Sequence, residues 1–441
     1  MTPSFATING SASREVRTQR RLLEEFTRVR RQSLAIAEPL SGEDQTVQSM
    51  PDASPTKWHL AHTTWFFEAF ILKPGAPKYR VFNEAFFYLF NSYYEALGPR
   101  HSRPHRGMLT RPSIEDVRAY RAYVDEQIAR YVEQAEEPER ETIEPLLILG
   151  LNHEQQHQEL MLSDVLHLFS CNPLRPAYRT RSASRHPHGA TAATWYTFAG
   201  GITEVGHQGD TFSFDNEGPR HVVVVNPFRL ASRLVTNGEW KAFMADGGYQ
   251  RPELWMSDGW SALQDELWHM PLYWRPSEGS EFQTLTLNGE QHVDDAAPIC
   301  HISYYEADAF ARWAGKRLPS EFEWEVAARD VRPVGNTLGS GALCPQPANA
   351  QPAPGRQADE CPAQLFGDVW EWTASPYVAY PGYRPAAGAL GEYNGKFMCN
   401  QMVMRGGSCV TPDGHIRATY RNFFYPHQRW QFSGLRLAED A

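Results

Sequence analysis

LLILGLNHEQQHQELML, residues 146–162, decides how the rest of the chain is read. It is apolar at both ends, contains no proline after Pro145, and is long enough for several helical turns. Pro145 suits the first turn of a helix, where its missing N–H is not needed. Residues four apart share a helical face, so His153 and His157 project side by side. Two imidazoles so placed make half of a metal site. Leu149 and Leu160 continue that face above and below, pointing the pair into a packed interior. Buried imidazoles need partners, and one shared cation serves both. A lone core histidine is commonly satisfied by a hydrogen bond; a pair at this spacing favours a metal.

Working outward, residues 15–38 read as an amphipathic helix with Leu22, Phe26, Val29, Leu34 and Ile36 as core contacts. A second helix covers 55–72, opened by Ser54-Pro55, and carries Trp58, His59, His62 and Trp65. Residues 79–111 are aromatic, Gly/Pro-punctuated and irregular. Ser113 caps a third helix, 114–135, with Glu115 and Asp116 where the helix dipole favours them. With the His153/His157 helix these make a four-helix bundle. Residues 173–194 lack periodicity and read as a linker. From Trp195 onward short strands, turns and Trp/Gly clusters dominate. Helices are expected there at Asn237–Met244, at Ser303–Trp313 and from Ser320, where Ser320 and Glu323 form a capping box. The fold class is therefore α+β in two domains: 15–172 a helical bundle, 195–441 an irregular, loop-rich domain.

The 441 residues carry a net charge of −10, with no basic block beyond the short Arg-rich start. That argues against nucleic acid or an anionic membrane as the main partner. No apolar run approaches the roughly 20 residues of a membrane span. The first twenty residues lack a signal-peptide core, and the six cysteines show no C-x-x-C pair. Both point to a cytoplasmic protein. Thirteen Trp and nineteen Tyr exceed what a core requires and hint at an aromatic-lined site.

His153-Glu154-Gln155-Gln156-His157 matches H-E-x-x-H, so a zinc hydrolase is the alternative of a different class. The continuation found in metzincins is missing: Leu160 and Ser163 stand where Gly and His are needed. His167 lies about 1000° of helix rotation beyond His157, off the ligand face. Upstream, His59 and His62 are the candidate third ligands, and spacing alone does not choose between them. Three neutral nitrogens on a metal with free positions suit zinc or ferrous iron. Glu159 points roughly 200° away from His157 and is better placed for helix–helix contact.

His59-Leu-Ala-His62-Thr-Thr-Trp-Phe-Phe-Glu68, Phe90-Asn-Ser-Tyr-Tyr-Glu95, Arg103-Pro-His-Arg106-Gly-Met-Leu-Thr-Arg-Pro112 and His153-x-x-x-His157-x-Glu159 together resemble the iron-dependent sulfoxide synthases of ergothioneine biosynthesis (EgtB-type). The second half is similar to their formylglycine-generating-enzyme-like, C-type-lectin-related domain. It carries Val235-Thr-Asn-Gly-Glu-Trp240, Gly367-Asp-Val-Trp-Glu-Trp-Thr373, Arg405-Gly-Gly-Ser408 and Ser433-Gly-Leu-Arg436. The resemblance implies a DinB-like bundle fused to that domain, with the active site between them. It implies Fe(II) on His62, His153 and His157, which settles the choice between His59 and His62 by analogy. The implied reaction joins hercynine (Nα-trimethylhistidine) to a thiol with O₂, giving a C–S bond and a sulfoxide. Tyr93, ahead of Tyr94, is then the candidate proton donor. Gln156 matches the position that bonds the hercynine imidazole, and Asn422 the one holding its amino-acid end. Phe423 is placed for cation–π contact with the trimethylammonium group. Arg103 and Arg106 would clamp the carboxylate of the thiol substrate.

Two departures refine the expectation. Members using γ-glutamylcysteine carry an acidic residue and an arginine where this chain has Phe424 and Gln428, so free L-cysteine is the expected donor. Formylglycine-generating enzymes carry a cysteine pair where Thr411 and Ile416 stand, which argues against sulfatase activation.

Overall fold

The computed structural model describes residues 8–180, 192–279, 281–348, 361–392 and 394–441. Half of the expected linker, residues 181–191, lies outside the described residues. The chain divides into two compact units, Met1–Asp164 and Val165–Ala441.

The helical unit is built on α1 (Ile8–Ala37), α2 (Thr56–Phe67), α3 (Ile114–Gln134) and α4 (Glu137–Ser170). All twelve residues of α2 are buried, although Thr56, Lys57, His59, His62, Thr63 and Thr64 are polar and must find partners there. It packs against α1 and α3. Its close approach to α4 depends on Gly150, where a Cβ would stand 2.5 Å from Phe67 Cε1 and 3.0 Å from Phe66 Cε1. Ser113 and Asp116 close a reciprocal capping box at the start of α3.

Three sequence expectations need correction. The second helix does not run unbroken to residue 72: Glu68–Leu72 forms a π turn. That wider turn coincides with burial of Glu68, whose carboxylate accepts from Tyr79 Oη at 2.6 Å, Tyr120 Oη at 2.5 Å and Phe82 N at 3.0 Å. Pro145 lies inside α4, not in its first turn. It and Glu141, whose carbonyl it leaves unbonded, are both exposed, so water can satisfy that oxygen. Leu34 is 39% exposed and is no core residue. The buried face of α1 instead carries Arg30 and Ser33 beside Phe26, Val29 and Ile36. Polar residues occupy it because a buried carboxylate from α4 needs them as partners.

Twelve short strands build the second unit among the described residues: β1 (Trp195–Phe198), β2 (Gly201–Val205), β3 (His221–Val225), β4 (Phe228–Ala231), β5 (Trp274–Pro276), β6 (Phe282–Thr286), β7 (Gly289–His292), β8 (Trp370–Pro376), β9 (Met402–Arg405), β10 (Asn422–Phe424), β11 (Ser433–Gly434) and β12 (Ala438–Asp440). They pair as β1-β4-β12, β2-β3, β5-β6-β7 and β10-β9-β8-β11. Helices α5 (Asn237–Ala245), α6 (Ser257–Asp265), α7 (Tyr304–Trp313) and α8 (Glu321–Ala328) complete the unit, α5 packing against α7 and α8 against β2, β3, β8 and β9. Helices α5, α7 and α8 each begin with a capping box, from Thr236, Ser303 and Ser320. The sequence reading missed α6.

The motifs of this half hold its core together. Parallel pairing of β11 with β8 sets Ser433 opposite Trp370, and Arg436 Nε then donates to Glu371 Oε2 at 2.8 Å with both side chains fully buried. Arg405 and Arg421 donate to Glu321 at 2.8 Å each. Trp240, Trp324, Trp370 and Trp372 are fully buried, so much of the tryptophan excess is packing and not site lining.

Candidate metal centre and substrate residues

α2 and α4 bring His62, His153 and His157 together, with one ligand atom from each lying within 4.8 Å of the others. All three are buried. Burial drives their pKa values down, to about 4 for His153, and proximity of the rings to one another adds to the effect for His62 and His157. Neutral imidazoles are the form that binds metals. The His62 ring lies flat against Trp58, with centroids 4.6 Å apart at 12°, and against Trp65 at 5.6 Å and 16°. Its Nδ1 is 2.6 Å from the Phe90 carbonyl oxygen, to which it donates. That contact leaves Nε2 as the bare nitrogen, buried and without a hydrogen-bond partner among the described residues. An orphaned lone pair in a nest of imidazoles fits a bound cation.

His59, the other candidate ligand, lies behind this cluster. Its Nδ1 is 2.7 Å from His157 Nδ1, and its Nε2 is 3.0 Å from Asp164 Oδ2. The same carboxylate oxygen accepts from Ser54 N at 2.8 Å.

Glu154 takes no part in the cluster. It is fully buried between Arg30, whose Nη1 donates at 2.8 Å, Ser33 Oγ at 2.5 Å, and Arg121. Burial alone would raise its pKa, but Arg121 and Arg30 outweigh that and hold it at about 2. A carboxylate so weakly basic and so fully engaged cannot serve as the general base of a zinc hydrolase.

Arg106 stacks over the Trp58 ring at 3.4 Å and donates to Ser54 Oγ at 2.9 Å and Ser92 Oγ at 3.1 Å. It is buried with hydroxyl partners, and its Nε has no hydrogen-bond partner among the described residues. Burial pulls its pKa down to about 9, with Arg103 and Arg100 adding repulsion that Tyr93 and Asp164 oppose. Arg103 is half-buried and donates to the Asp52 carbonyl. Tyr94 is packed between Trp65 and Phe70, at 5.6 and 5.1 Å, whereas Tyr93 and Gln156 are half-buried.

In the second unit, Asn422 and Phe423 lie on the edge strand β10 and are half-buried. Phe423 stacks on Tyr377 at 4.0 Å and faces Phe397 at 5.9 Å. Phe424 packs edge-on against Trp430, and Gln428 Oε1 accepts from Tyr425 N at 3.0 Å. Thr411 accepts from Ser408 N at 2.8 Å, and Ile416 packs beneath Gly407.

Residues 25–161 match the DinB superfamily, and residues 181–441 the sulfatase-modifying factor enzyme 1-like domain. Hercynine oxygenase of Mycolicibacterium smegmatis is 33% identical over 95% of this chain and 99% of its own. The chain belongs to the hercynine oxygenase family. Hercynine oxygenase of Mycobacterium tuberculosis is 34% identical over 88% of this chain and 92% of its own. The formylglycine-generating enzyme of Streptomyces coelicolor is 27% identical over 53% and 84%. The two-domain α+β reading and the recognition of the family from its motifs both stand. Hercynine oxygenase relatives and the histidine cluster together indicate a metal cofactor.

The sequence reading missed Asp164 as a partner of His59. It falls seven residues after His157, about 20° short of two full helical turns, so it shares the ligand face. Arg30 and Arg121 were missed as partners of Glu154 because they lie 124 and 33 residues away in sequence.

Proposed function

We propose that this chain is a hercynine oxygenase that holds Fe(II) on His62, His153 and His157 and joins hercynine to L-cysteine with O₂. One observation carries the metal assignment: His62 Nε2 is buried without a partner among the described residues, beside two further neutral imidazoles. Ferrous iron on three imidazoles keeps positions open, acidifies a bound thiol and reacts with dioxygen. The balance is C–H plus S–H plus O₂ giving a C–S(=O) unit and water.

The protein's own groups position and protonate. Arg106 offers a buried cation whose nearest partners are hydroxyls, which suits the carboxylate of an amino-acid thiol; Arg103 assists from the same 3₁₀ turn, Arg103–Met108. Tyr93 is the preferred proton donor, supported by its electrostatic contact with Arg106, and Tyr94 is the second choice because its ring is packed. Gln156 is assigned to the hercynine imidazole, Asn422 to its amino-acid end and Phe423 to the trimethylammonium group. The aromatic stack around Phe423 supports that last role.

Cysteine as donor rests on Phe424 and Gln428, neither of which offers a charge to a glutamyl head group. A cytoplasmic location is part of the proposal and rests on the cysteine pattern. No described helix is long and apolar enough to cross a membrane.

Oxygen uptake with Fe(II), hercynine and each thiol, followed by mass spectrometry of the product, tests this reading. Hercynyl-cysteine sulfoxide is expected, with cysteine giving the higher kcat/KM. Preference for γ-glutamylcysteine would overturn the donor assignment, and uptake independent of hercynine would overturn the reaction.

A further inference from the structure

We propose that His59 and Asp164 are positioning residues that fix which nitrogen of His157 is bare. This rests on the reading of His157 as a metal ligand. His59 bridges two groups, with Nε2 at 3.0 Å from Asp164 Oδ2 and Nδ1 at 2.7 Å from His157 Nδ1. A carboxylate only accepts, so His59 Nε2 must donate to it. For neutral imidazoles that leaves His59 Nδ1 as an acceptor, and His157 Nδ1 must then carry the proton. The lone pair of His157 is thereby confined to Nε2, as the Phe90 carbonyl confines that of His62. Both ring nitrogens of His59 are engaged, which explains why it supports the cluster without joining it.

Asp164 is well placed to anchor such a relay. It is buried, and Ser54 N donates to the same oxygen at 2.8 Å, fixing the direction in which it accepts. Ser54 Oγ in turn accepts from Arg106 Nη1 at 2.9 Å. One carboxylate therefore orients a ligand imidazole and, through Ser54, the segment that holds the buried guanidinium. Partners of this kind set ring orientation and tautomer before any metal arrives.

Cobalt(II) titration of the metal-free full-length chain, followed by visible ligand-field absorption, reads affinity and coordination without turnover. His59→Leu and Asp164→Ala are expected to weaken cobalt binding about 10–100-fold. His59→Gln should recover most of the loss, because its amide oxygen can accept from His157 Nδ1, and Asp164→Asn should fall between wild type and Asp164→Ala. A role in packing alone would not separate Leu from Gln at position 59. Nitrogen-15 imidazole spectra of the metal-free chain should show His157 protonated at Nδ1, and a mixture of tautomers in His59→Leu. Wild-type affinity in both His59→Leu and Asp164→Ala, or His157 protonated at Nε2, would overturn the proposal. His157→Ala distinguishes the two levels: if it binds cobalt normally the ligand assignment fails, and if only it loses cobalt the relay alone fails. Should Asp164→Ala not fold, the comparison of Leu with Gln at position 59 decides.

Discussion

Glu154 shows how a matched motif can mislead at the scale of one residue. H-E-x-x-H suggests a base beside a metal, yet its carboxylate bridges the Arg30 and Arg121 guanidiniums in the bundle core, with Asp125 as the second acidic partner of Arg30. Removing one member of a buried ion cluster strands the others, so Glu154→Gln should destabilise the chain by about 3–5 kcal/mol. Equilibrium unfolding in urea measures this, and an unchanged midpoint would contradict it. His153 and His301 carry a second residue-scale prediction. Burial lowers their pKa values from 6.5, to about 4 and about 3 respectively. Below pH 6.5 the unfolded rings take up protons that the folded rings refuse, so unfolding is favoured by acid. Stability of the metal-free chain should therefore be fully present above pH 6.5 and fall as the pH drops towards 4. A midpoint that rises over that interval would refute it.

At the scale of elements, α2 and α4 meet where Gly150 leaves room for Phe66 and Phe67. In an exposed helix interior Gly→Ala would stabilise by about 1 kcal/mol. Here a Cβ 2.5 Å from an aromatic carbon forces the helices apart, and overpacking costs about 1–3 kcal/mol. Gly150→Ala should therefore lower the melting temperature and weaken metal binding, because it moves His62 away from its two partners. A rise in melting temperature would show that the helices tolerate the methyl group. Much at this scale was legible beforehand. The i, i+4 histidines, the Ser113 and Ser320 caps and the four long helices all carry local signals. Helix α6 does not: Ser257, Asp258 and Gly259 at its start imitate a turn. Gly259 is suited to that helix only because Tyr305 packs where its Cβ would be, at 2.8 Å. The choice between His59 and His62 was likewise hidden, since three-residue spacing places both near one face. The family resemblance made that choice by analogy, and the structure adds the contacts of His59 with Asp164 and of His62 with the Phe90 carbonyl.

For the whole molecule, the motifs quoted from the second half divide into two kinds. Glu371 and Arg436 hold the core by pairing with each other, and Arg405 does so by pairing with Glu321. Phe424, packed on Trp430, and Gln428, buried and bonded to Tyr425 N, carry no charge of this kind, and the proposed function makes them the positions that choose the thiol. Replacing them together, Phe424→Asp with Gln428→Arg, should raise kcat/KM for γ-glutamylcysteine about tenfold or more, the effect of a charge-assisted contact worth about 1.5–3 kcal/mol. Steady-state oxygen uptake with both thiols reads the ratio, and an unchanged ratio would remove these positions from thiol selection. The central claim is that side chains from two separate helices hold one redox-active ion. A crystal grown anaerobically with ferrous salt, with anomalous scattering recorded at the iron edge, tests it most directly. A single iron peak bonded to His62, His153 and His157 is the predicted result; no iron among those three rings, or iron bound elsewhere, would contradict it.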